Sequence, residues 1–239
     1  ISPITLVVEE LQGKAVGLGD YVFSTLPLYL TSGVLFGLGA GVYREKDMFT
    51  QRPVPLKALD AIESRIYRRM STLKLSMLFI PFVFAAELLA LATLFALPFG
   101  VSLPILLLTF AFIEEVAKSV HIYAGYEGSH FKRTTPTALF LGFLSGLGFF
   151  IGEKLTLVTQ LVGIPELPLG RAGFSSASAV DASPLILVAF LFAPLVLHVV
   201  TASMSAVGIR YGRKEYVVAF VIAVLTHTAY NLTVVNFIG

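Results

Sequence analysis

The sequence predicts an all-α polytopic membrane protein, a bundle of about six transmembrane helices around a polar cavity at mid-membrane. Three observations lead there. The chain is 56% hydrophobic and 13% charged, with mean hydropathy +0.84, where a soluble domain carries about 25% charged residues. Six apolar stretches, near 22–43, 75–97, 103–125, 136–164, 184–209 and 217–238, are each long enough to cross about 30 Å of hydrocarbon. Several of these stretches nevertheless hold ionisable residues, each costing on the order of 2.5–3.5 kcal/mol at a helix centre. A chain that keeps several of them in separate spans is using them together. Residues 1–239 read as a single membrane-embedded domain.

In chain order, the first span carries Gly33, Gly37 and Gly41, a spacing of four that lets helix backbones approach closely, within the chain or at a dimer interface. The 44–74 loop places Leu56, Leu59, Ile62, Ile66, Met70 and Leu73 three and four apart among basic residues. That pattern predicts an amphipathic helix on the cytoplasmic membrane surface, acting as a linker or as a substrate or partner surface. The second span holds Glu87, and the third Glu114, Glu115, Lys118 and His121. The fourth holds Glu153 and Lys154, with Gly142 paired to Gly146 and Gly148 to Gly152. The segment 165–183 is rich in Gly, Ser, Ala and Pro and reads as a connector or a gate. The fifth span holds His198 and the sixth His227 and Asn231. Asn231-Leu232-Thr233 fits a glycosylation acceptor, but its place inside a span rules that out.

Charge sets the orientation. Eight Lys or Arg lie in 44–74 (Arg44, Lys46, Arg52, Lys57, Arg65, Arg68, Arg69, Lys74), two in 126–135 (Lys132, Arg133) and three in 210–216 (Arg210, Arg213, Lys214). The alternate connections hold only Lys14 and Arg171. The positive-inside rule predicts an integral protein of the cell membrane with the 44–74 loop in the cytoplasm and both termini outside. The chain starts at Ile1, which leaves room for a processed or additional N-terminal segment. It has no cysteine, so disulfides and thiolate chemistry are excluded.

Depth gathers the polar residues into one layer. At 1.5 Å per residue from the outer span ends, Glu114, Glu153 and His227 each lie about 16 Å deep and His198 about 21 Å, with Glu87 near the same level. Glu114 and Lys118 share a face at i,i+4, as do Glu115 and Lys118 at i,i+3. The two glutamates point about 100° apart, which predicts different roles. His227 and Asn231 share a face and are expected to serve one cavity. A buried carboxylate whose pKa is tuned by Lys or His makes a general base, and His and Asn donors stabilise an oxyanion. The same carboxylates and histidines also suit zinc or another divalent metal, and a plain hydrogen-bond network tying helices together needs the same residue types. Lys154 reads as a snorkelling or paired lysine, His121 as interface packing and His130 as a loop residue without a partner.

Four segments resemble the motifs of the PrsW family of intramembrane proteases, which shares a superfamily with the CAAX prenyl endopeptidases. They are Glu114-Glu115-Val116-Ala117-Lys118 for EExxK, Phe149-Phe150-Ile151-Gly152-Glu153 for FxxxE, Pro194 to His198 for the histidine motif, and His227-Thr228-Ala229-Tyr230-Asn231 for HxxxN. Relatives often carry a polar residue four positions after the third-motif histidine, where this chain has Ala202 between Thr201 and Ser203. The resemblance covers about 103–238 and implies endoproteolysis of a membrane-anchored protein or a lipidated peptide, in the lipid bilayer and without nucleic acid. It implies catalytic roles for Glu114, Glu115, Lys118, Glu153, His198, His227 and Asn231. Glu114 would activate water with help from Glu153. His198 and the His227–Asn231 pair would stabilise the oxyanion, Lys118 would tune the carboxylates and Glu115 would orient the network. No cofactor is expected on this reading, with a divalent metal such as zinc as the alternative. A proton-coupled transporter and a non-catalytic membrane scaffold are the competing functions; the paired inverted halves found in many transporters are not evident in the sequence.

Overall fold

The computed structural model describes residues 6, 10–13, 17–42, 53–94, 99–161 and 184–238, and these form an all-helical structure with no strand among them. Seven helices follow one another: α1 (Leu18–Val42), α2 (Val54–Glu63), α3 (Ser71–Leu94), α4 (Phe99–Glu127), α5 (Thr135–Leu161), α6 (Pro184–Tyr211) and α7 (Arg213–Ile238). Four are long and apolar enough to cross a membrane: α3, α5, α6 and α7, through Ser71–Leu94, Thr135–Thr156, Phe192–Tyr211 and Arg213–Asn236. α4 is the longest at 29 residues and is interrupted by Glu114, Glu115 and Lys118.

The amphipathic element is shorter than the 44–74 pattern predicts. α2 covers ten residues and ends at Glu63, and 64–70 turn before α3 begins. The three-and-four spacing runs through that turn, so periodicity alone does not reveal the break. Ile62 and Ile66 are buried, not laid on a surface. They join Leu75, Ile122, Tyr126, Phe131, Leu141 and Ile209 in the largest apolar cluster, which ties α2 to the ends of α3, α4, α5 and α6. Met70 stays half exposed. Residues 44–52 and the 165–183 segment, with Lys14 and Arg171, lie outside the described residues.

α5 packs between α3 and α6, and its glycines explain how closely. A Cβ at Gly146 would stand 2.5 Å from Val199 Cα, and one at Gly142 would stand 2.7 Å from Ser203 N, both backbone atoms of α6. On another face, a Cβ at Gly148 would meet the Leu73 carbonyl oxygen and one at Gly152 would lie 2.7 Å from Ile80 Cγ1, both on α3. Within a bilayer no hydrophobic force pulls helices together, so small residues that permit close van der Waals contact decide which helices pair. The α1 glycines differ: a Cβ at Gly33 or Gly37 would meet nothing within 4 Å, so the packing predicted for those two is not made among the described residues.

This contrast is testable. Gly146→Ala should destabilise the protein by about 1–3 kcal/mol through forced separation of α5 and α6, while Gly33→Ala should be neutral or slightly stabilising. Unfolding titrations in mild detergent measure both; equal effects at the two positions would contradict this packing.

Candidate membrane-embedded active site

α4, α5, α6 and α7 each deliver part of one polar cluster. Lys118, fully buried, is its centre. Its Nζ lies 2.6 Å from Glu115 Oε1 one turn back on α4, 3.0 Å from His198 Nδ1 on α6 and 3.4 Å from His227 Nδ1 on α7. The ammonium also sits 4.9 Å from the Phe149 ring centroid on α5, a favourable cation–π approach. Ser145 Oγ donates to the Lys118 carbonyl at 2.7 Å, and Ser76 Oγ donates in turn to the Ser145 carbonyl at 2.7 Å, so α5 and α3 are tied to the same residue.

The two neighbouring glutamates separate as their 100° offset requires. Glu115 is fully buried and bonds inward, its Oε1 shared by Lys118 and by His227 Nδ1 at 2.8 Å. Glu114 is 16% exposed and turns toward a cavity of about 220 Å³. Ile80, Val83, Phe84 and Glu87 of α3 line that cavity together with Glu114, Phe149, Glu153 and Thr156. Glu153 is held by His198 Nε2 at 3.0 Å and remains 43% exposed, so the cavity has an open side.

The donor and acceptor types of the partners assign the proton positions. Lys118 is a donor only, so His198 Nδ1 accepts and its Nε2–H donates to Glu153 Oε2. Glu115 at 2.8 Å is the nearer partner of His227 Nδ1 and accepts its N–H, so the 3.4 Å approach of Lys118 to that nitrogen is not a hydrogen bond, and in the neutral imidazole His227 Nε2 is the acceptor. That nitrogen faces Glu114 Oε2 at 3.6 Å, and Glu114 Oε2 is buried without a hydrogen-bond partner. Two acceptors therefore face each other across a gap that a proton, a water or a cation must fill.

One carboxylate oxygen and two imidazole nitrogens, from Glu114, His198 and His227, lie within 4.8 Å of one another. Their type and spacing fit a zinc-like ion. The Lys118 ammonium beside both histidines opposes a second cation there.

Six of the seven expected site residues meet in this cluster. Asn231 is the exception: it is half-buried one turn beyond His227, and its side chain makes no hydrogen bond among the described residues. Shared helix face did not bring it to the same partners. Glu87 reaches the cavity wall. Lys154 lies 3.9 Å from Glu153 and 5.4 Å from the Phe150 ring centroid, paired as expected. His121 is fully buried in the interior, stacked on Phe79 at 5.9 Å, where interface packing was expected. His130 does have a partner, Glu63 at 3.2 Å. Ser76 and Ser145 were missed, since a single serine in an apolar span carries no sequence signal. Comparison with protein-family models, with curated proteins and with solved structures gives no match to this chain.

Removing the central charge leaves Glu115 buried and uncompensated. Lys118→Met should cost about 3–5 kcal/mol, and adding Glu115→Gln in the same chain should recover part of that loss. Chemical unfolding of the single and double variants tests the pairing; additive losses would show that the two residues do not depend on each other.

Proposed function

We propose that this chain is an intramembrane endopeptidase that hydrolyses a peptide bond of a membrane-anchored protein or lipidated peptide with a water activated by Glu114. Six helices, α1 and α3 to α7, span the bilayer on this reading, with the α2 side in the cytoplasm and both ends of the chain outside. The observation that carries the function is Glu114 Oε2, buried without a hydrogen-bond partner 3.6 Å from His227 Nε2 and beside an open cavity. Two acceptors grip the two protons of one water and leave its oxygen lone pairs free to attack.

The water oxygen bonds to the scissile carbonyl carbon as one of its protons passes to the Glu114–His227 pair. The carbonyl oxygen becomes an oxyanion, which accepts the Nε2–H of His198, released by Glu153, and feels the Lys118 charge behind both imidazoles. The proton held by the pair then moves to the amide nitrogen as the carbon–nitrogen bond breaks. Glu115 keeps His227 in the tautomer that leaves Nε2 bare, the role of an orienting carboxylate. Asn231 takes no part in these steps. The apolar wall of Ile80, Val83, Phe84 and Phe149 suits an extended apolar substrate segment.

A second reading follows from the Glu114, His198 and His227 donors. They would hold a divalent metal such as zinc, which supplies Lewis-acid activation of water when bound.

Cleavage of single-span and prenylated peptides by the protein in liposomes tests the proposal. Glu114→Gln should lower the rate by about 10²–10⁴-fold with the fold intact. Activity that persists in that variant would remove Glu114 as the base. Wild-type activity should survive a strong chelator; loss on chelation, restored by one metal, would favour the metal reading. Ion flux through the same liposomes without cleavage would point to a transporter, and substrate binding unchanged by Glu114→Gln and Glu153→Gln without cleavage would point to a scaffold.

A further inference from the structure

One wall of the cavity belongs to a helix that is held firmly along only part of its length. In its first half α3 is clasped by α5. Ser76 Oγ donates to the Ser145 carbonyl at 2.7 Å. A Cβ at Gly148 would meet the Leu73 carbonyl oxygen, and one at Gly152 would stand 3.2 Å from Met77 Cα and 2.7 Å from Ile80 Cγ1. Beyond that point the two helices border the cavity, α3 with Val83, Phe84 and Glu87 and α5 with Glu153 and Thr156.

The change falls at a proline. Pro81 lies inside α3, next to Ile80 and four residues past Met77. It has no N–H to give the Met77 carbonyl, and its ring crowds that carbonyl. The helix nevertheless runs on to Leu94. A proline inside a helix is where bending concentrates. Gly152 of α5 presses on the same turn, so the weak point of α3 rests on a fulcrum. Burial changes there too. The buried residues of α3 are Thr72, Leu75, Ser76 and Ile80 before the proline and Val83 alone after it. Val83 packs in one apolar cluster with Ile80, Ala117 and Phe149. Past it, Leu89 is 66% exposed, and Leu88 and Leu91 are also open.

We propose that the distal half of α3, Phe82–Leu94, swings on Pro81 away from α5 and opens the cavity sideways to lipid, with Val83 as the catch that holds it shut. Hinges of this kind need only one or two residues that absorb the change in backbone angle. Glu87 rides on the moving half, so opening draws one of the cavity's carboxylates away from Glu153. A membrane-anchored chain entering by this route keeps its apolar segment in lipid throughout. Use of the opening by a substrate rests on the proteolytic reading; the motion does not.

The test uses the whole chain in nanodiscs. It has no cysteine, so introduced pairs can be spin-labelled without background, and double electron–electron resonance reads their separation. Leu89→Cys with Leu155→Cys reports the distal half of α3 against α5; Leu78→Cys with Leu139→Cys reports the half before the hinge. All four positions are exposed. The distal pair should show two separations, a shorter and a longer, and the other pair a single one. Pro81→Ala restores the missing hydrogen bond and should deplete the longer separation severalfold. Val83→Ala loosens the catch and should enrich it severalfold. One narrow separation at both pairs, or a distal distribution unmoved by both substitutions, would overturn the hinge. In liposomes Pro81→Ala should slow cleavage of a single-span peptide severalfold, and an undiminished rate would overturn entry by this route. A chain without proteolytic activity would still show the two separations, so failure of that reading is distinguishable from failure of this one.

Discussion

The burial of one ammonium group organises this molecule. Lys118 sits in a position where an uncompensated charge would be prohibitive, and everything needed to hold it comes from elsewhere in the chain. Glu115 of its own helix supplies the opposing charge and brings in α7 through His227, His198 supplies α6, and Ser145 supplies α5 through the lysine's carbonyl. Ser76 extends the chain of bonds to α3. Five helices are thus registered along their axes by a single residue. Apolar side chains packed in lipid fix axial position poorly, because one methyl group replaces another at little cost.

That charge is also spent locally. Glu115 at 2.6 Å is the nearer counter-charge of Lys118, and Glu114 stands farther off at 3.9 Å. The neighbouring glutamates consequently divide between holding the network and facing the cavity, a division that follows from the helical turn between them. Glu87 and Glu153 bring further acidic character to the same cavity from α3 and α5.

The sequence disclosed the long helices to within a few residues, because apolar length and flanking charge are local properties. It disclosed Glu114, Glu115, Lys118, Glu153, His198 and His227 as a set because charged residues in apolar helices need one another. Where it misled, the reason was non-local. The three-and-four pattern of Ile62, Ile66 and Met70 crosses a turn, and only the tertiary cluster around Ile122 and Tyr126 shows where those side chains go. Asn231 shares a face with His227, yet hydrogen bonding depends on helix rotation and distance, which periodicity does not carry.

The glycines of α5 act as a gauge. Gly152 immediately precedes Glu153, and it is Gly152 that lets α3 approach to within contact of Ile80. Ile80, Val83 and Glu87 form the wall opposite Glu153, so the width of the chamber is set by a hydrogen atom where other residues carry a methyl. Chamber size and helix spacing are therefore the same variable. A chain with alanine there would have to displace Ile80 or part α3 from α5, and the chamber between them would change with it.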